Sequence, residues 1–468
     1  MIAQKRQKVK YFLHTHFTSP EFTSRDVFKM MYPIILDSLS IMFINMLIVA
    51  LISSSGEEAV AAVNLVNPLS TLIVCLLNGI AAGGTVTVTQ CYGAGDMEKT
   101  RQAAGQILWL IVLLGSAMSL LLVLFPRQIL TLLYPTAEEA VLAKAVHYMS
   151  VGSISLIIFT VYTGIFCILR GLGEAQKCLW LTIIINVAYL LFSVLFINVL
   201  KMDIQGSALA LVLARSLGSL SALVLFFLPK DIAIRLDLRS IFSFRKDIMH
   251  SIMRVSVPFG LEQIFLYGGN VVVSMILVPL GTNAVATNAI ASSLLNVVTA
   301  AGMAGGNLGV TIVGRCIGAR DKEWAYRYGW EMNLLALILV LLASALFYPL
   351  YPLMLRYLFH ASETTSAAAI RMLWQVLLPM FLFWPISNTM PYILRAASDT
   401  VFPSVLSALT MWGIRIGLGY LLAFPLNMGL DGLWITMWAE WVVRTAALLP
   451  RFLRKHWLDK AKVKPVET

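Results

Sequence analysis

The sequence contains few charged residues for its length. Only 13% of its 468 residues are Asp, Glu, Lys or Arg, whereas soluble domains carry about 25%. The gaps between its long apolar runs are too short for a separate soluble domain. This composition excludes an ordinary soluble protein and predicts an integral membrane protein.

The motifs of several chemical classes are also missing. The five cysteines show no metal-ligand spacing, and the six histidines lie outside the centres of the apolar runs. No HExxH and no GxxxxGK[ST] motif occurs, which argues against a metalloprotease and an ATP-driven pump. We expect no metal, no cofactor and no nucleic-acid partner.

Twelve apolar runs are present, each long enough to cross about 30 Å of hydrocarbon as a helix. The sequence therefore predicts an all-α polytopic membrane protein. The predicted spans are 30–53, 63–90, 104–125, 147–169, 178–199, 205–228, 255–280, 289–314, 331–352, 370–394, 403–424 and 430–450.

The basic residues alternate between the loops in a way that predicts orientation. If the N-terminus is cytoplasmic, the inside segments hold 28 Lys and Arg and the outside loops hold five. Cytoplasmic loops are normally the basic ones, so both termini are expected in the cytoplasm and the protein in the cell membrane. This asymmetry also explains the net charge of +11. The first apolar run is of full length and follows a basic, polar segment, so we expect no cleavable signal peptide.

The second half of the chain repeats the first, with residue numbers that differ by a constant offset of 225. "CYGAGDME" at 91–98 corresponds to "CIGARDKE" at 316–323, and "ILR" at 168–170 corresponds to "ILR" at 393–395. Six spans separate the copies, so the repeats are predicted to be parallel, and sites in such proteins lie at the repeat interface. The predicted parts are 1–27 (N-terminal segment), 28–228 (N-lobe), 229–254 (linker), 255–450 (C-lobe) and 451–468 (basic tail).

Each repeat begins with a helix that carries an acid four residues after a proline. These polar stripes consist of Asp37, Ser38 and Asn45 in the first half, and Glu262, Gln263 and Asn270 in the second. Polar groups facing lipid would be unsatisfied, so both stripes should face the bundle interior or a cavity. We interpret them as a cation- or substrate-binding site. The alternative is that each acid caps a helix or pairs with a buried arginine.

Three further charges lie within predicted spans, namely Arg215, Arg415 and Glu440. An ion pair among them would hold helices together, and we favour this structural role. We interpret the loop motif "GAGDMEKT" and its copy "GARDKEWA" as mainly structural. Gly93 and Gly318 suit helix ends, and Arg395 is expected to close its helix on the cytoplasmic side.

The tenth span contains prolines that its counterpart in the first half lacks. Pro379, Pro385 and Pro391 recur every six residues, and an interior proline removes a hydrogen bond and can kink a helix. This span should be bent or broken, with Ser387 and Asn388 beside the freed carbonyls. This helix either moves during function or is bent only to pack against its neighbours.

The doubled motifs "EEAVAAVNLVNPL", "GAGDMEKTRQAAG", "ILRGLGEAQ", "VGRCIGARD" and "ILRAASDT" resemble the multidrug and toxic compound extrusion (MATE) family over residues 28–450. The resemblance implies two six-helix lobes around a central cavity. It also implies an antiporter that exports bulky, often cationic or amphipathic compounds in exchange for Na⁺ or H⁺.

The sequence departs from this family at two acidic positions. The acid expected in the first helix falls on Ile48, and the acid expected in the tenth span falls on Trp384. The family's usual cation site therefore cannot be transferred, and coupling would have to use Asp37, Glu262 or another group.

Two alternatives remain open at this point. A flippase for lipid-linked precursors has the same architecture, and Arg415 points that way because such cavities are more basic. A membrane-embedded enzyme is the second alternative, although no span contains a catalytic pair of aspartates or a buried histidine. We expect a monomer in the lipid bilayer, with a small-molecule substrate.

The predicted orientation can be checked by labelling. In a cysteine-free variant, Ser243→Cys should resist an impermeant thiol reagent in intact cells, because residues 229–254 are predicted to be cytoplasmic. Thr282→Cys should react, because it precedes a span that starts outside. Labelling at 243 without labelling at 282 would reverse the topology.

Overall fold

The computed structural model describes residues 22–52, 57–135, 139–228, 233–236, 240–241, 244–357, 359 and 361–461, and all regular elements in these ranges are helical. The α-helices are α1 Ser24–Ile52, α2 Glu57–Gly93, α3 Met97–Leu124, α4 Pro126–Leu133, α5 Glu139–Gly171, α6 Ala175–Ser193, α7 Asp203–Phe227, α8 Lys246–Leu277, α9 Thr282–Gly318, α10 Lys322–Phe347, α11 Tyr351–Tyr357, α12 Glu363–Ala396, α13 Val401–Thr410, α14 Gly419–Ala423 and α15 Gly429–Leu453. π-Helical segments at Val194–Val199 and Met411–Leu418 extend α6 and α13.

In the described part of the chain, each predicted span falls on one helix or on consecutive helical segments. Within the described residues, ten helices are long and apolar enough to cross a membrane. The other two predicted spans correspond to α1 and to α15, and α15 contains Asp431, Glu440 and Arg444 among its apolar residues. The protein is therefore an all-α, multi-pass membrane protein with a twelve-span arrangement.

The chain forms two compact units. The N unit comprises Leu39–Gly260, and the C unit comprises the residues up to Ser38 together with those from Leu261 onward. Consequently α1 begins in the C unit and continues into the N unit, whereas α8 does the reverse. The domain limits predicted from the sequence stay a prediction.

The repeat is visible in the backbone as well as in the sequence. Helices α2 and α9 have the same length, and both their first and their last residues differ in number by 225. Their following loops place Gly95 and Arg320 in the same left-handed conformation, with φ of 74° and 62°. Asp96 and Asp321 then accept a hydrogen bond at 3.0 Å from the backbone N–H three residues on, which caps the next helix.

The same correspondence continues to the end of each half. Gly173 and Ser398 are both left-handed, again at an offset of 225. Lys201 and Asn427 are left-handed at an offset of 226, so the offset grows by one in the fifth span. The described parts of the two halves thus share one backbone pattern. Residues in their last helices correspond at an offset of 226.

Within the N unit, α2 packs very closely against the first half of α8. Ser256 Oγ donates to the carbonyl oxygen of Ile80 at 3.1 Å. A Cβ atom added at Gly83 would lie 2.1 Å from Ser256 Oγ and 2.6 Å from the carbonyl oxygen of Ile252. Only glycine allows this approach. Small residues at membrane helix contacts bring backbones together in this way.

Within the C unit, the residues before α1 pack against α9 and α10. The Phe22 ring lies 6.2 Å from the Tyr328 ring in an edge-to-face arrangement. The Arg315 guanidinium lies 5.4 Å from the centre of the Phe22 ring. The start of α1 is therefore an integral part of the C unit.

We predict that Gly83→Ala destabilises the protein by about 1–3 kcal/mol, as overpacked cores do. The clash involves backbone of α8, which cannot rotate away. Gly152→Ala is the matched control, because Gly152 is also buried in a helix but an added Cβ meets nothing within 4 Å. It should be neutral or stabilising by up to about 1 kcal/mol. Thermal unfolding of the purified variants measures both, and equal effects would contradict the packing argument.

Candidate functional site

The acid at the start of the second repeat lies in a polar contact inside the C unit. Glu262 of α8 is 5% exposed. Its Oε2 accepts hydrogen bonds from Arg395 of α12 at 2.5 Å and from Ser404 of α13 at 2.7 Å. Glu262 therefore joins three helices through a buried, hydrogen-bonded ion pair. This geometry is the one described by the structural alternative for the two acids.

Arg395 lies in the last turn of α12, as expected, and its side chain is 4% exposed and bonded to Glu262. Its counterpart Arg170 lies 5.8 Å from the centre of the Phe166 ring.

The acid of the first repeat is buried as well. Asp37 of α1 is 6% exposed and belongs to the C unit. The neighbouring Ser38 donates to the carbonyl oxygen of Ile34 at 3.1 Å, which satisfies its hydroxyl within its own helix. The side chains of Asn45 and Ile48 lie outside the described residues.

The remaining members of the second stripe are less buried than Glu262. Gln263 is half-buried and Asn270 is exposed. The backbone carbonyl oxygen of Asn270 accepts from Ser274 Oγ at 3.0 Å. The burial of the predicted stripe therefore falls from Glu262 towards Asn270, and its role as a binding surface stays a prediction.

A second buried charge cluster surrounds Glu440 of α15. Glu440 is 2% exposed. It lies 2.5 Å from Arg444, one turn further along the same helix, and 3.4 Å from Arg415 in the π-helical segment. Arg444 also donates to Thr410 Oγ1 at 2.9 Å and to the carbonyl oxygen of Ser407 at 3.2 Å.

Arg444 was missed as a site residue by sequence reasoning, which counted it among the 28 basic residues of the inside segments. The spacing of four residues between Glu440 and Arg444 was the available signal, because such pairs are neighbours on a helix. Around Glu262 and Glu440, two acids thus meet three arginines. Arg444 lies within electrostatic range of Glu262, Arg395 and Arg415 as well as Glu440, so these residues form one network.

The third charge predicted within a span is in different surroundings. Arg215 of α7 is half-buried, and its Nη1 donates to Ser155 Oγ of α5 at 2.7 Å. Its guanidinium lies 4.9 Å from the centre of the Phe159 ring. Among the described residues of the N unit, no carboxylate forms an ion pair with it.

The helix of the tenth span is continuous through its three prolines. Of the two expectations, a bend or a break, the break is wrong and the bend stays a prediction. Asn388 Nδ2 donates to the carbonyl oxygen of Trp384 at 3.1 Å. Thr445 Oγ1 of α15 donates to the carbonyl oxygen of Phe383 at 3.0 Å. Ser387 is fully buried. Side chains of α12 and α15 thus hydrogen-bond to the α12 backbone near Pro385.

The position of the family's second acid is part of the apolar core. Trp384 is 4% exposed and belongs to the C-unit core with residues such as Val340 and Met380. A Cβ added at Gly302 would lie 2.4 Å from the Trp384 ring. The large indole thus packs where a glycine leaves room, and no carboxylate occupies that place.

Comparisons with known proteins agree with this fold. The MatE family model matches residues 33–195 and 258–421. The first positions of these two ranges differ by 225 and the last by 226, as in the internal repeat. The transporter YisQ of Bacillus subtilis is 24% identical over 97% of this chain and 99% of its own. A probable multidrug resistance protein NorM of Thermotoga maritima is 24% identical over 93% of this chain and 94% of its own.

Solved structures show the same fold. An outward-facing multidrug resistance MATE transporter has a TM-score of 0.86 at 20% identity, covering 93% of this chain and 96% of that one. A transporter of Pyrococcus furiosus Vc1, described as having a binding pocket of reverse polarity, has a TM-score of 0.82 at 20% identity, covering 94% and 96%. Because the family model matches both halves in the register of the repeat, the chain belongs to the MatE family of multidrug and toxic compound extrusion transporters.

Proposed function

We propose that the protein is a secondary antiporter that exports bulky, amphipathic organic compounds in exchange for H⁺ or Na⁺. The observation that carries this proposal is a buried acid at the same place in the first helix of each repeat of a MatE-family chain. Buried carboxylates in membrane segments are costly and usually functional. Such groups can change protonation or bind a cation as their access to water changes.

The two acids are proposed to have different roles. Glu262 already has a positive charge and a hydroxyl donor in contact with the same oxygen, through Arg395 and Ser404. A coupling cation at Glu262 would have to displace the guanidinium of Arg395. Glu440 has two arginine partners and the same difficulty. We therefore propose Glu262 as a positioning residue that ties α8 to α12 and α13. Asp37 is the other buried acid of the repeated pair, and its burial at the equivalent place supports our proposal that it is the coupling carboxylate.

The flippase alternative rested on Arg415. Its charge lies 3.4 Å from the carboxylate of Glu440, so it is partly compensated inside the C unit and does not favour a basic lipid-phosphate site. The family assignment implies a transporter and not an enzyme. The monomeric state and the cytoplasmic placement of both termini remain proposals.

Transport by proteoliposomes tests the function itself. Vesicles containing the protein should accumulate or release ethidium and 1-naphthoate when a pH gradient or a Na⁺ gradient is imposed separately. A panel that also contains lipid-linked sugars separates the alternatives. Movement of lipid-linked sugars alone, independent of both gradients, would replace the antiporter by a flippase.

Asp37→Asn should abolish gradient-driven transport, by at least tenfold in initial rate, because the amide cannot carry a proton or bind a cation with its charge. Equilibrium binding of the transported compound should persist. Glu98→Gln is the control, since Glu98 is an exposed acid at the start of α3. Transport by Asp37→Asn at the wild-type rate and with unchanged pH dependence would remove Asp37 from the mechanism.

Glu262→Gln should lower stability by about 3–5 kcal/mol, because it leaves the guanidinium of Arg395 buried without its counter-charge. The double variant Glu262→Gln/Arg395→Gln should recover part of that loss, since neither charge is then unpaired. Thermal unfolding of both purified variants measures the difference. A stable Glu262→Gln variant that has lost only its pH dependence would instead make Glu262 the coupling group.

A further inference from the structure

Arg215 is a membrane-embedded positive charge for which no described residue of the N unit supplies a counter-charge. It lies twelve residues into α7, about 18 Å along the helix at 1.5 Å per residue. Its hydrogen bond to Ser155 Oγ involves one of the five N–H donors of a guanidinium. A hydroxyl carries no charge, and arginine does not lose its proton in proteins.

Within the described residues, the N unit contains no acid at this depth. Between Leu39 and Gly260, the described Asp and Glu residues occur only in the first turns or caps of helices. They are Glu57, Glu58, Asp96, Glu98, Glu139, Glu174, Asp203 and Asp247. None of these described carboxylates therefore compensates Arg215 near the middle of α7.

Near the equivalent positions of the C unit, a buried arginine is paired with a carboxylate. At the offset of 226, Arg415 corresponds to Tyr189 and Glu440 falls one residue from the place of Arg215. In the C unit these positions form the Arg415–Glu440 pair. In the N unit Tyr189 stands in the place of Arg415. Ala214 stands in the place of Glu440, and Arg215 follows Ala214. The Tyr189 hydroxyl lies within electrostatic range of Arg215.

The surroundings of Arg215 are aromatic. Phe159, Tyr162 and Phe166 of α5 stack in a row, with ring centres 5.2 Å and 5.7 Å apart. Arg215 lies over the first of these rings at 4.9 Å, and Tyr148 lies within its electrostatic range. A half-buried cation beside half-buried Phe159 offers a charged end and an apolar face to the same ligand.

We propose that Arg215 binds the carboxylate of an amphipathic aromatic anion, whose ring system packs beside Phe159. This inference rests on the proposed export of amphipathic compounds and specifies their charge. Guanidinium and carboxylate match as two parallel, charge-assisted hydrogen bonds. The bound anion supplies the negative charge that the N unit lacks at this depth, and a neutral amide of the same shape does not.

Equilibrium binding to the purified full-length protein tests this proposal without any gradient. Titration calorimetry compares 1-naphthoate with 1-naphthamide, which is nearly isosteric and neutral, and with the cation 1-naphthylmethylammonium. We expect wild type to bind naphthoate at least tenfold more tightly than the other two. Arg215→Gln should remove this preference, and Arg215→Lys should keep part of it. Arg127→Gln is the control, because Arg127 is an exposed arginine of the same unit.

The wild-type comparison keeps the test decisive even if Arg215→Gln does not fold. No measurable binding of naphthoate, equal binding of acid and amide, or a preference for the cation would each overturn the anion site. The same holds for a folded Arg215→Gln variant that keeps the full preference. Failure of gradient-driven transport with intact anion selectivity would count against the antiporter and leave the site standing.

Discussion

Hydrocarbon offers no hydrogen bonds, so a polar group within it must be satisfied inside the protein. This constraint explains why the described backbone is helical throughout its regular elements and why the hydroxyl of Ser38 bonds to its own helix. It also explains why the membrane-embedded charges of the C unit are gathered together. Glu262, Glu440 and their arginines satisfy one another across α8, α12, α13 and α15.

Such a network is not in itself a large source of stability, because desolvation of each ion offsets most of the attraction. Its effect is to make the arrangement of helices specific. A C unit with one charge displaced would leave another charge buried and unpaired. The π-helical segment at Met411–Leu418 contributes here, since it contains Arg415, which reaches Glu440. π-Helical turns are rare and often occur at functional places.

The two repeats have the same backbone but different polarity. Their capping aspartates, left-handed turns and long helices correspond at offsets of 225 or 226. In the C unit the mid-membrane arginines are paired with carboxylates, whereas the N unit has Arg215 among aromatic rings and hydroxyls. A duplicated fold thus provides one unit whose buried charges are paired with carboxylates and one unit in which no described carboxylate of that unit pairs with Arg215.

The sequence by itself determined the spans and the repeat, because both follow from local patterns: apolar runs long enough for hydrocarbon, and motifs recurring at a fixed offset. It also identified Glu262, Arg215, Arg415 and Glu440 as charges at membrane depth. Their partners are distant in sequence, so no local pattern could show that Glu262 meets Arg395 and Ser404. The prolines of α12 indicated a bend or a break, and the helix is continuous through all three. Tertiary structure decided which charges are compensated, since compensation depends on helices that meet in space.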